Sequence, residues 1–380
     1  VGTTYTSSIP VATAGITAGS AQAVPQASVN QVLTNPTSTA QTATYTVTPV
    51  GSGCTGASFQ LVVTVNPTPV VPNQSTTICS GTSPNFIPVD NPPTTIVPAG
   101  TTYTWANPVV TGGITGGSAQ AVPQASVNQV LTNPTNTVQT ATYTVTPIGP
   151  GCTGATFLLV VTVNPKPLVP AQATTVCSGT SPNYVPANNP PLTIVPAGTL
   201  YTWTNPVVTG GITGGSAQAT PQTSVNQTLT NPTSTAQTAT YTVTPIGPNC
   251  TGATFQLVVT VNPTPVVPNQ ATTICSGTSP NFVPVDNPPT TIVPIGTLYT
   301  WTNPVVTGGI TGGSAQATPQ TSVNQTLTNP TSTAQTATYT VTPIGPNCTG
   351  ATFQLVVTVN PTPIVPNQAT TICSGTSPNF

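Results

Sequence analysis

The chain has 380 residues and almost no charge: its only charged side chains are Lys166, Asp90 and Asp286, and its formal net charge at pH 7 is -1. Ordinary soluble domains carry about a quarter charged residues, so solubility here has to come from Thr, Asn, Gln and Ser. A single lysine excludes the basic cluster that nucleic-acid binding requires. No apolar run approaches the roughly 20 residues of a membrane-spanning helix, so we expect no membrane insertion of this segment.

The elements of one repeat, taken in chain order, are short strands. Tyr103 and Trp105 alternate with threonine in the first of them, and Ala141, Tyr143 and Val145 do so in a later one. This period of two is typical of half-buried strands, and the 47 prolines make long helices implausible. About seven strands per repeat indicate an all-β, immunoglobulin-like β-sandwich. The segments predicted as strands are 102–105, 127–131, 141–146, 157–163 and 176–184.

The sequence repeats itself every 98 residues, a period that fits a whole small domain rather than a solenoid repeat. The equivalent tryptophans are Trp105, Trp203 and Trp301, whereas the first copy has Ser7 at that position. We therefore predict a tandem array of modules. Module 1 (1–68) is partial and lacks its N-terminal strands. Modules 2, 3 and 4 comprise residues 69–166, 167–264 and 265–362, and residues 363–380, the tail, are the start of a further module.

Neither end of the chain coincides with a module boundary, since Val1 aligns with Ala99 and Phe380 aligns with Phe282. Two interpretations follow. The chain is a window on a longer array whose N-terminus has been processed or cut away, or it is a subunit whose tail completes the first module of a neighbour by strand addition. The joins between modules, such as 163–170, have proline at every second or third position. We expect them to be semi-rigid spacers and the array to be elongated.

Eight cysteines recur at the same 98-residue step, as two sets. The first set is Cys54, Cys152, Cys250 and Cys348, and the second is Cys79, Cys177, Cys275 and Cys373. Such regular spacing without metal-binding residues predicts disulfides and an oxidising compartment. We favour pairing within modules, which leaves Cys54 and Cys373 unpaired; its pairs are Cys79–Cys152, Cys177–Cys250 and Cys275–Cys348. The alternative joins the two cysteines that flank each linker, as Cys54–Cys79, Cys152–Cys177, Cys250–Cys275 and Cys348–Cys373.

The residues needed for catalysis or metal binding are missing from this composition. A nucleophilic hydroxyl needs a basic partner, and Lys166 stands alone in a linker. Asp90 and Asp286 occupy equivalent positions of different modules, so they do not form a carboxylate pair or a calcium site. The glycine-rich stretch 111–117 lacks the lysine of a phosphate-binding loop, and we predict tight turns there. We predict no catalytic residue, no metal and no cofactor.

Several short motifs recur in a fixed order: Thr-Thr-Ile-Cys-Ser-Gly, Gly-Thr-x-Tyr-Thr-Trp, Ala-Thr-Tyr-Thr-Val-Thr-Pro, Cys-Thr-Gly and Val-Thr-Val-Asn-Pro-x-Pro. Together they resemble the PKD-like, immunoglobulin-like repeats of giant Bacteroidota surface proteins, including gliding-motility adhesins exported by the type IX route. The resemblance covers essentially the whole chain and implies PKD-like β-sandwich modules at the cell surface with a stalk or adhesive role. It transfers no binding residue. Ser7 departs from the pattern and makes different core packing in module 1 an expectation.

The function we expect is therefore a non-catalytic, extracellular repeat region that forms an elongated stalk or an adhesive surface of a large cell-surface protein. Its expected partners are neighbouring modules, other copies of itself, and surface glycans or other cells. Near-identical modules suit many weak contacts made at once. The alternative is a subunit of a self-assembling extracellular filament, because a nearly uncharged surface offers little electrostatic repulsion against association.

Overall fold

The structure, a computed structural model, describes residues 2–377, and within them it contains strands, turns and bends but no helix. The strands of module 1 are β1 (Thr4–Ser7), β2 (Val11–Ala12), β3 (Gln22–Gln26), β4 (Gln41–Gly51), β5 (Cys54–Thr55) and β6 (Phe59–Val65). Those of module 2 are β7 (Gln74–Cys79), β8 (Thr102–Trp105), β9 (Val109–Val110), β10 (Gln120–Gln124), β11 (Gln139–Gly149), β12 (Cys152–Thr153) and β13 (Phe157–Asn164).

Modules 3 and 4 repeat this order with six strands each. The strands of module 3 are β14 (Gln172–Cys177), β15 (Leu200–Trp203), β16 (Val207–Val208), β17 (Gln218–Gln222), β18 (Gln237–Ile246) and β19 (Phe255–Asn262). Those of module 4 are β20 (Gln270–Cys275), β21 (Leu298–Trp301), β22 (Val305–Val306), β23 (Gln316–Gln320), β24 (Gln335–Ile344) and β25 (Phe353–Asn360). The all-β array of repeated modules predicted from the sequence is confirmed.

The described chain divides into two compact units that do not coincide with the repeats. One comprises residues 2–169, 186–199 and 245–253, and the other comprises residues 170–185, 200–244 and 254–377. Modules 1 and 2 lie entirely in the first unit and module 4 lies in the second, whereas module 3 contributes to both.

The main sheet of module 2 has the strand order β10-β8-β11-β13-β7, and β9 and β12 also pair with β11. Strands β11 and β13 form an antiparallel hairpin in which Ala141 faces Val161 and Tyr143 faces Leu159. Because side chains alternate along a strand, these residues share one face, and all four are completely buried. The period-two pattern that predicted this hairpin is therefore the inner face of the sheet.

Strand β7 adds to this sheet in parallel to β13, with Gln74 opposite Leu159 and Cys79 opposite Asn164. The linker before it packs on the turn of the β11–β13 hairpin. A Cβ atom on Gly154 would lie 2.2 Å from the carbonyl oxygen of Pro69, so only glycine permits this contact. The Cys-Thr-Gly motif thus fixes the hairpin turn against the chain that enters its own module.

The opposite layer of the sandwich consists of isolated bridges rather than long ladders. Phe86 bridges Val127 and Thr82 bridges Leu131, and both Val127 and Leu131 are buried. The prediction of regular strands over 127–131 and 176–184 was therefore wrong in part. Strand β14 ends at Cys177 because Gly179 and Asn183 have positive φ, which breaks the extended backbone.

Tyrosine and tryptophan fill the centre of modules 2 to 4. In module 2 the rings of Trp105 and Tyr143 meet edge to face, with centroids 6.3 Å apart, and the Trp105 Nε1–H group donates to the Ser118 carbonyl at 3.0 Å. Module 1 has only Ser7 in place of the indole, and the hydroxyl of Ser7 is buried without a hydrogen-bond partner. The buried residues of its core are Ala43, Tyr45 and Val47.

A buried asparagine forms hydrogen bonds near the end of the last strand of each module; in module 2 this is where β13 ends at Asn164, and we call it the lower end of the module. The Asn133 Nδ2 group donates to the carbonyls of Thr137 at 2.8 Å and Val163 at 3.0 Å, and Oδ1 accepts from both the backbone and the hydroxyl of Thr135. Because Asn133 is only 1 % exposed, each of these bonds replaces a contact with water. Asn35, Asn231 and Asn329 make the same bonds in the other modules.

Candidate functional site

The disulfides connect consecutive modules. Cys79 of module 2 bonds Cys250 of module 3, and Cys177 of module 3 bonds Cys348 of module 4, each with a Cα–Cα distance of 5.9 Å. Both bonds join residues 171 positions apart. Each one lies within a single compact unit of the structure. We call each of these bonds a staple.

One cysteine of each staple lies at the end of a strand, and the other lies in a hairpin turn of the next module. Cys79 is the last residue of β7, at the lower end of module 2, where β13 ends at Asn164. Cys250 lies in the turn between β18 and β19, where its carbonyl accepts a hydrogen bond from Gly247 N at 3.0 Å. A Cβ atom on Gly252 would lie 2.4 Å from the Pro167 carbonyl oxygen. The close approach of this hairpin turn to the linker therefore presents Cys250 to the preceding module.

The predicted pairing within modules was wrong, and the length of β11 gives the reason. Gln139, at the start of β11, lies at the level of Cys79, because both flank the end of β13; Cys152 pairs with Gly149 at the other end. Ten residues of extended strand span about 34 Å. A disulfide needs a Cα–Cα distance below about 7 Å, so Cys79 and Cys152 cannot bond.

The other predicted pairs are also replaced. The Cys177–Cys250 and Cys275–Cys348 pairs do not form, because Cys177, Cys250 and Cys348 are bonded elsewhere. The same occupancy rules out the alternative in which linker cysteines pair, since each of its four bonds would use a cysteine that a staple already holds. The 98-residue spacing is compatible with all three schemes. Only the positions of the cysteines at opposite ends of a module select the staple.

Four cysteines carry free thiols in the described chain: Cys54, Cys152, Cys275 and Cys373. Cys54 and Cys373 are also unpaired in the predicted pairing within modules, whereas the pairing across linkers would have bonded both. Cys54 and Cys152 are equivalent to the hairpin cysteine of a staple, whereas Cys275 and Cys373 are equivalent to the cysteine at the end of β7. Each free thiol thus has the position of one half of a staple.

The two aspartates of the chain form hydrogen bonds that hold a loop in place, and the single lysine is exposed. The Asp90 carboxylate accepts a hydrogen bond from Val97 N at 2.8 Å, and Asn188 accepts the equivalent bond from Val195 N at 2.9 Å in the next module. Because a neutral amide takes the same place, the negative charge is not required there. Asp286 repeats the contact in module 4, and Lys166 is exposed in its linker.

The glycine-rich stretch 111–117 forms turns, as predicted. Gly112, Gly113 and Gly116 have positive φ, and a Cβ atom on Gly116 would lie 2.0 Å from the Val130 carbonyl oxygen. Within residues 2–377 no group of three or more His, Cys, Asp or Glu side chains is placed to hold a metal ion. The same residues include no helix that is long and apolar enough to cross a membrane.

Comparisons with known proteins identify the module. A family model described as "PKD-like domain" matches residues 1–69, 76–167, 174–265 and 272–363. The comparison with curated proteins gives no match.

Among solved structures, Drosophila N-cadherin EC1-4 is 10 % identical, with 94 % of this chain and 92 % of that chain covered and a TM-score of 0.23. The immunoglobulin domains 1–4 of Sidekick-1 are 10 % identical over 95 % and 91 % of the two chains, with a TM-score of 0.22. The chicken CNTN1 FN1–FN3 domains are 10 % identical over 68 % and 88 %, with a TM-score of 0.26. These low scores support no argument about function.

Proposed function

The chain belongs to the PKD-like domain family, and we propose that it is a non-catalytic, extracellular repeat region that serves as a covalently reinforced stalk of a large cell-surface protein. Modules of this kind are typically structural. The observation that carries the proposal is the overlap of the two staples along the sequence.

The overlap means that the chain is covalently bridged at every position between Cys79 and Cys348. Residues between Cys79 and Cys177 are spanned by the first staple, those between Cys250 and Cys348 by the second, and those in between by both. A single cut in any of these regions leaves the two pieces joined. A stalk exposed to proteases and to tension gains continuity from this arrangement.

The same bonds support an extracellular location. Disulfides persist in oxidising compartments and are rare where thiols are kept reduced. A loop of 171 residues contributes about 5 kcal/mol in the chain-entropy account of disulfide stability. The resemblance to Bacteroidota adhesins supports attachment to the cell surface and export by the type IX route.

An adhesive role is supported by a second feature, a valine that is exposed at the same place in each repeat. Val109, Val207 and Val305, on the short strands β9, β16 and β22, are each 76 % exposed, and Val11 on β2 of module 1 is 78 % exposed. Four similar, weakly apolar contacts would bind a repetitive surface, such as a glycan layer or another cell, with an avidity that no single contact has. Replacing all four with Thr should reduce binding of the full chain to such surfaces. Val122→Thr is the matched control, because Thr220 already occupies the equivalent position of module 3.

A designed cut tests the stalk. A protease recognition sequence inserted after Ile295, which is 93 % exposed in a turn, would be spanned by the Cys177–Cys348 staple alone. After cleavage, the oxidised chain should migrate as one species without reductant and as two fragments with it. Cys348→Ser should let the fragments separate without reductant, whereas Cys152→Ser should not. Separation of the fragments in the unsubstituted oxidised chain would refute the proposal.

A further inference from the structure

A cleft of about 470 Å³ opens in module 2 between the start of β7 and the loop that follows Phe86. We call it the β7 cleft. The residues that line it with hydrogen-bonding side chains are Gln74, Asp90, Asn91 and Thr95, and all of them belong to one compact unit of the structure. The volume lies in the range of about 300–1,000 Å³ that small-molecule sites have. The β7 cleft is therefore large enough to bind a small ligand.

These side chains keep polar atoms free among residues 2–377. Gln74 donates through Nε2 to a backbone carbonyl at 3.2 Å, whereas its Oε1 atom accepts no hydrogen bond. Asp90 accepts a backbone hydrogen bond through Oδ1 and leaves Oδ2 free. Asn91 and Thr95 bond each other only through their backbones, so their side-chain amide and hydroxyl are also free. The cleft thus offers several acceptors, one of them charged, and two groups that both donate and accept.

The loop that carries three of these side chains is held in its shape by the chain itself. Asn91 N donates to the Thr95 carbonyl at 2.9 Å, and Thr95 N donates to the Asn91 carbonyl at 3.0 Å. Val97 N donates to the Asp90 carboxylate at 2.8 Å, and Pro88 is buried. A ligand therefore meets groups that are already in position, which reduces the entropic cost of binding.

An apolar surface lies beside the free polar groups. Ile87 and Val89 line the cleft and are 57 % and 81 % exposed, while Phe86 packs against the core. In module 4 the equivalents of the first two, Val283 and Val285, are 51 % and 80 % exposed. Because apolar surface and free acceptors occur together, we expect a ligand that presents both C–H groups and hydrogen-bond donors.

Module 3 differs at two of these positions, and the differences separate the needs of the fold from those of a ligand. Asn188 takes the place of Asp90 and accepts the same backbone hydrogen bond, so the loop does not require a carboxylate. At the other position a tyrosine, Tyr184, donates its hydroxyl to Gln172 Oε1. Modules 2 and 4 have phenylalanine at this position, which leaves the equivalent acceptor free for a ligand.

Module 4 repeats the polar set around the second of the two acidic residues of the chain. Asp286 accepts a hydrogen bond from Val293 N at 2.8 Å through Oδ1, so its Oδ2 atom is free, as in Asp90. The other members of the set are Gln270, Asn287 and Thr291. In a chain with only three charged side chains, both carboxylates therefore occupy the same position, beside groups suited to hydroxyls. This placement favours a ligand that is both cationic and hydroxylated.

We propose that modules 2 and 4 each bind an amino sugar, in the β7 cleft and in its equivalent. In module 2 the ammonium group pairs with Asp90 Oδ2, the ring hydroxyls bind the free amide and hydroxyl groups, and C–H groups of the ring pack on Val89. A lysine side chain would also pair with the carboxylate. It would leave the other polar groups without a partner, however, which costs binding free energy. The inference goes beyond the proposed stalk and involves residues other than the exposed valines.

Isothermal titration calorimetry of the oxidised full chain with a glucosamine oligosaccharide tests the proposal, in a mildly acidic buffer that keeps the amines protonated. Two equivalent sites per chain are expected. The N-acetylated oligosaccharide has the same ring without the positive charge, and Nα-acetyl-lysine amide has the charge without ring hydroxyls. Each should bind at least about tenfold more weakly than the glucosamine oligosaccharide.

Substitutions that copy module 3 separate binding from folding. Asp90→Asn with Asp286→Asn should weaken binding of the glucosamine oligosaccharide at least about tenfold. Thermal unfolding should not change, because Asn188 makes the same backbone contact in module 3. Lys166→Gln is the matched control: it also neutralises a charged side chain, but one that is exposed in a linker outside both clefts, so the affinity should persist.

A second pair of substitutions tests the free acceptor. Phe86→Tyr with Phe282→Tyr introduces the hydroxyl that Tyr184 has in module 3, where it occupies the glutamine oxygen. Losing one neutral hydrogen bond to the ligand should weaken binding about threefold to tenfold. Module 3 already accommodates tyrosine at this position, so thermal unfolding should again be unchanged.

The outcome is independent of the stalk and valine tests. The aspartate variant retains both staples, and the variant with the four valine-to-threonine substitutions retains both clefts, so it should bind the glucosamine oligosaccharide like the unsubstituted chain. The proposal is overturned if this oligosaccharide does not bind, if the N-acetylated form or the lysine amide binds as tightly, or if the aspartate variant binds with unchanged affinity.

Discussion

Stretching the chain from its two ends, with the disulfides intact and after their reduction, should measure how much backbone the staples prevent from extending. Without disulfides, the fully extended backbone between Cys79 and Cys348 would measure about 94 nm, at about 3.5 Å per residue. With both staples intact, the shortest covalent path crosses from Cys79 to Cys250, runs back along the backbone to Cys177, and crosses to Cys348. The backbone part of this path extends to only about 26 nm. Reduction therefore releases a length equal to two repeats, which is about 70 nm of additional contour length.

Single-molecule force spectroscopy measures this gain directly, after all modules have unfolded with and without reductant. If the cysteines paired within modules, reduction would instead release about 77 nm of contour length, and if they paired across linkers it would release only about 35 nm. Cys250→Ser leaves one staple, which spans 171 residues, and should lower the gain to about 60 nm. Cys152→Ser should leave it at about 70 nm. A gain near the values for either alternative pairing in the unsubstituted chain would refute the staples.

Three further predictions concern the cores. Trp203→Ser, which reproduces the residue found in module 1, should destabilise module 3 by about 3–5 kcal/mol, measured by calorimetry of the oxidised chain. Asn133→Ala leaves buried carbonyls and an N–H group unsatisfied and should cost about 2–3 kcal/mol in urea denaturation of module 2. Burial raises the pKa of Tyr143, Tyr241 and Tyr339 to about 12 from 10.0. Their contribution to stability is therefore complete below pH 10 and lost between pH 10 and about 12, so tyrosine ionisation, followed by ultraviolet absorbance, should coincide with alkaline unfolding. Free titration near the ordinary tyrosine pKa with the fold intact would contradict this.

Local sequence was sufficient for the elements whose neighbours are close in the chain. The alternation around Tyr143 predicted β11, and the glycines and proline after it predicted the hairpin turn, because strand pairing across a short turn is determined by adjacent residues. The edge between β13 and β7 was not predicted. It joins the first and last strands of the module in parallel, with Gln74 opposite Leu159, and the linker prolines that precede β7 suggested a spacer rather than a strand.

The cysteine pairing also could not be predicted from local sequence. Their spacing established that disulfides repeat with the modules, but the period is the same whether Cys79 bonds within its module, across its linker or with the next module. The decision rests on β11, whose extended length carries Cys152 to one end of the module while the parallel register of β7 holds Cys79 at the other.

The sequence by itself determined the repeat, the all-β class, the buried faces of the hairpin strands and the lack of charged catalytic groups, because each of these depends on composition or on periodicity along the chain. Only the tertiary structure decided which cysteines bond. That choice depends on where the strand ends lie in space, which a repeating sequence encodes identically in every copy. The overlap of the staples follows from that placement.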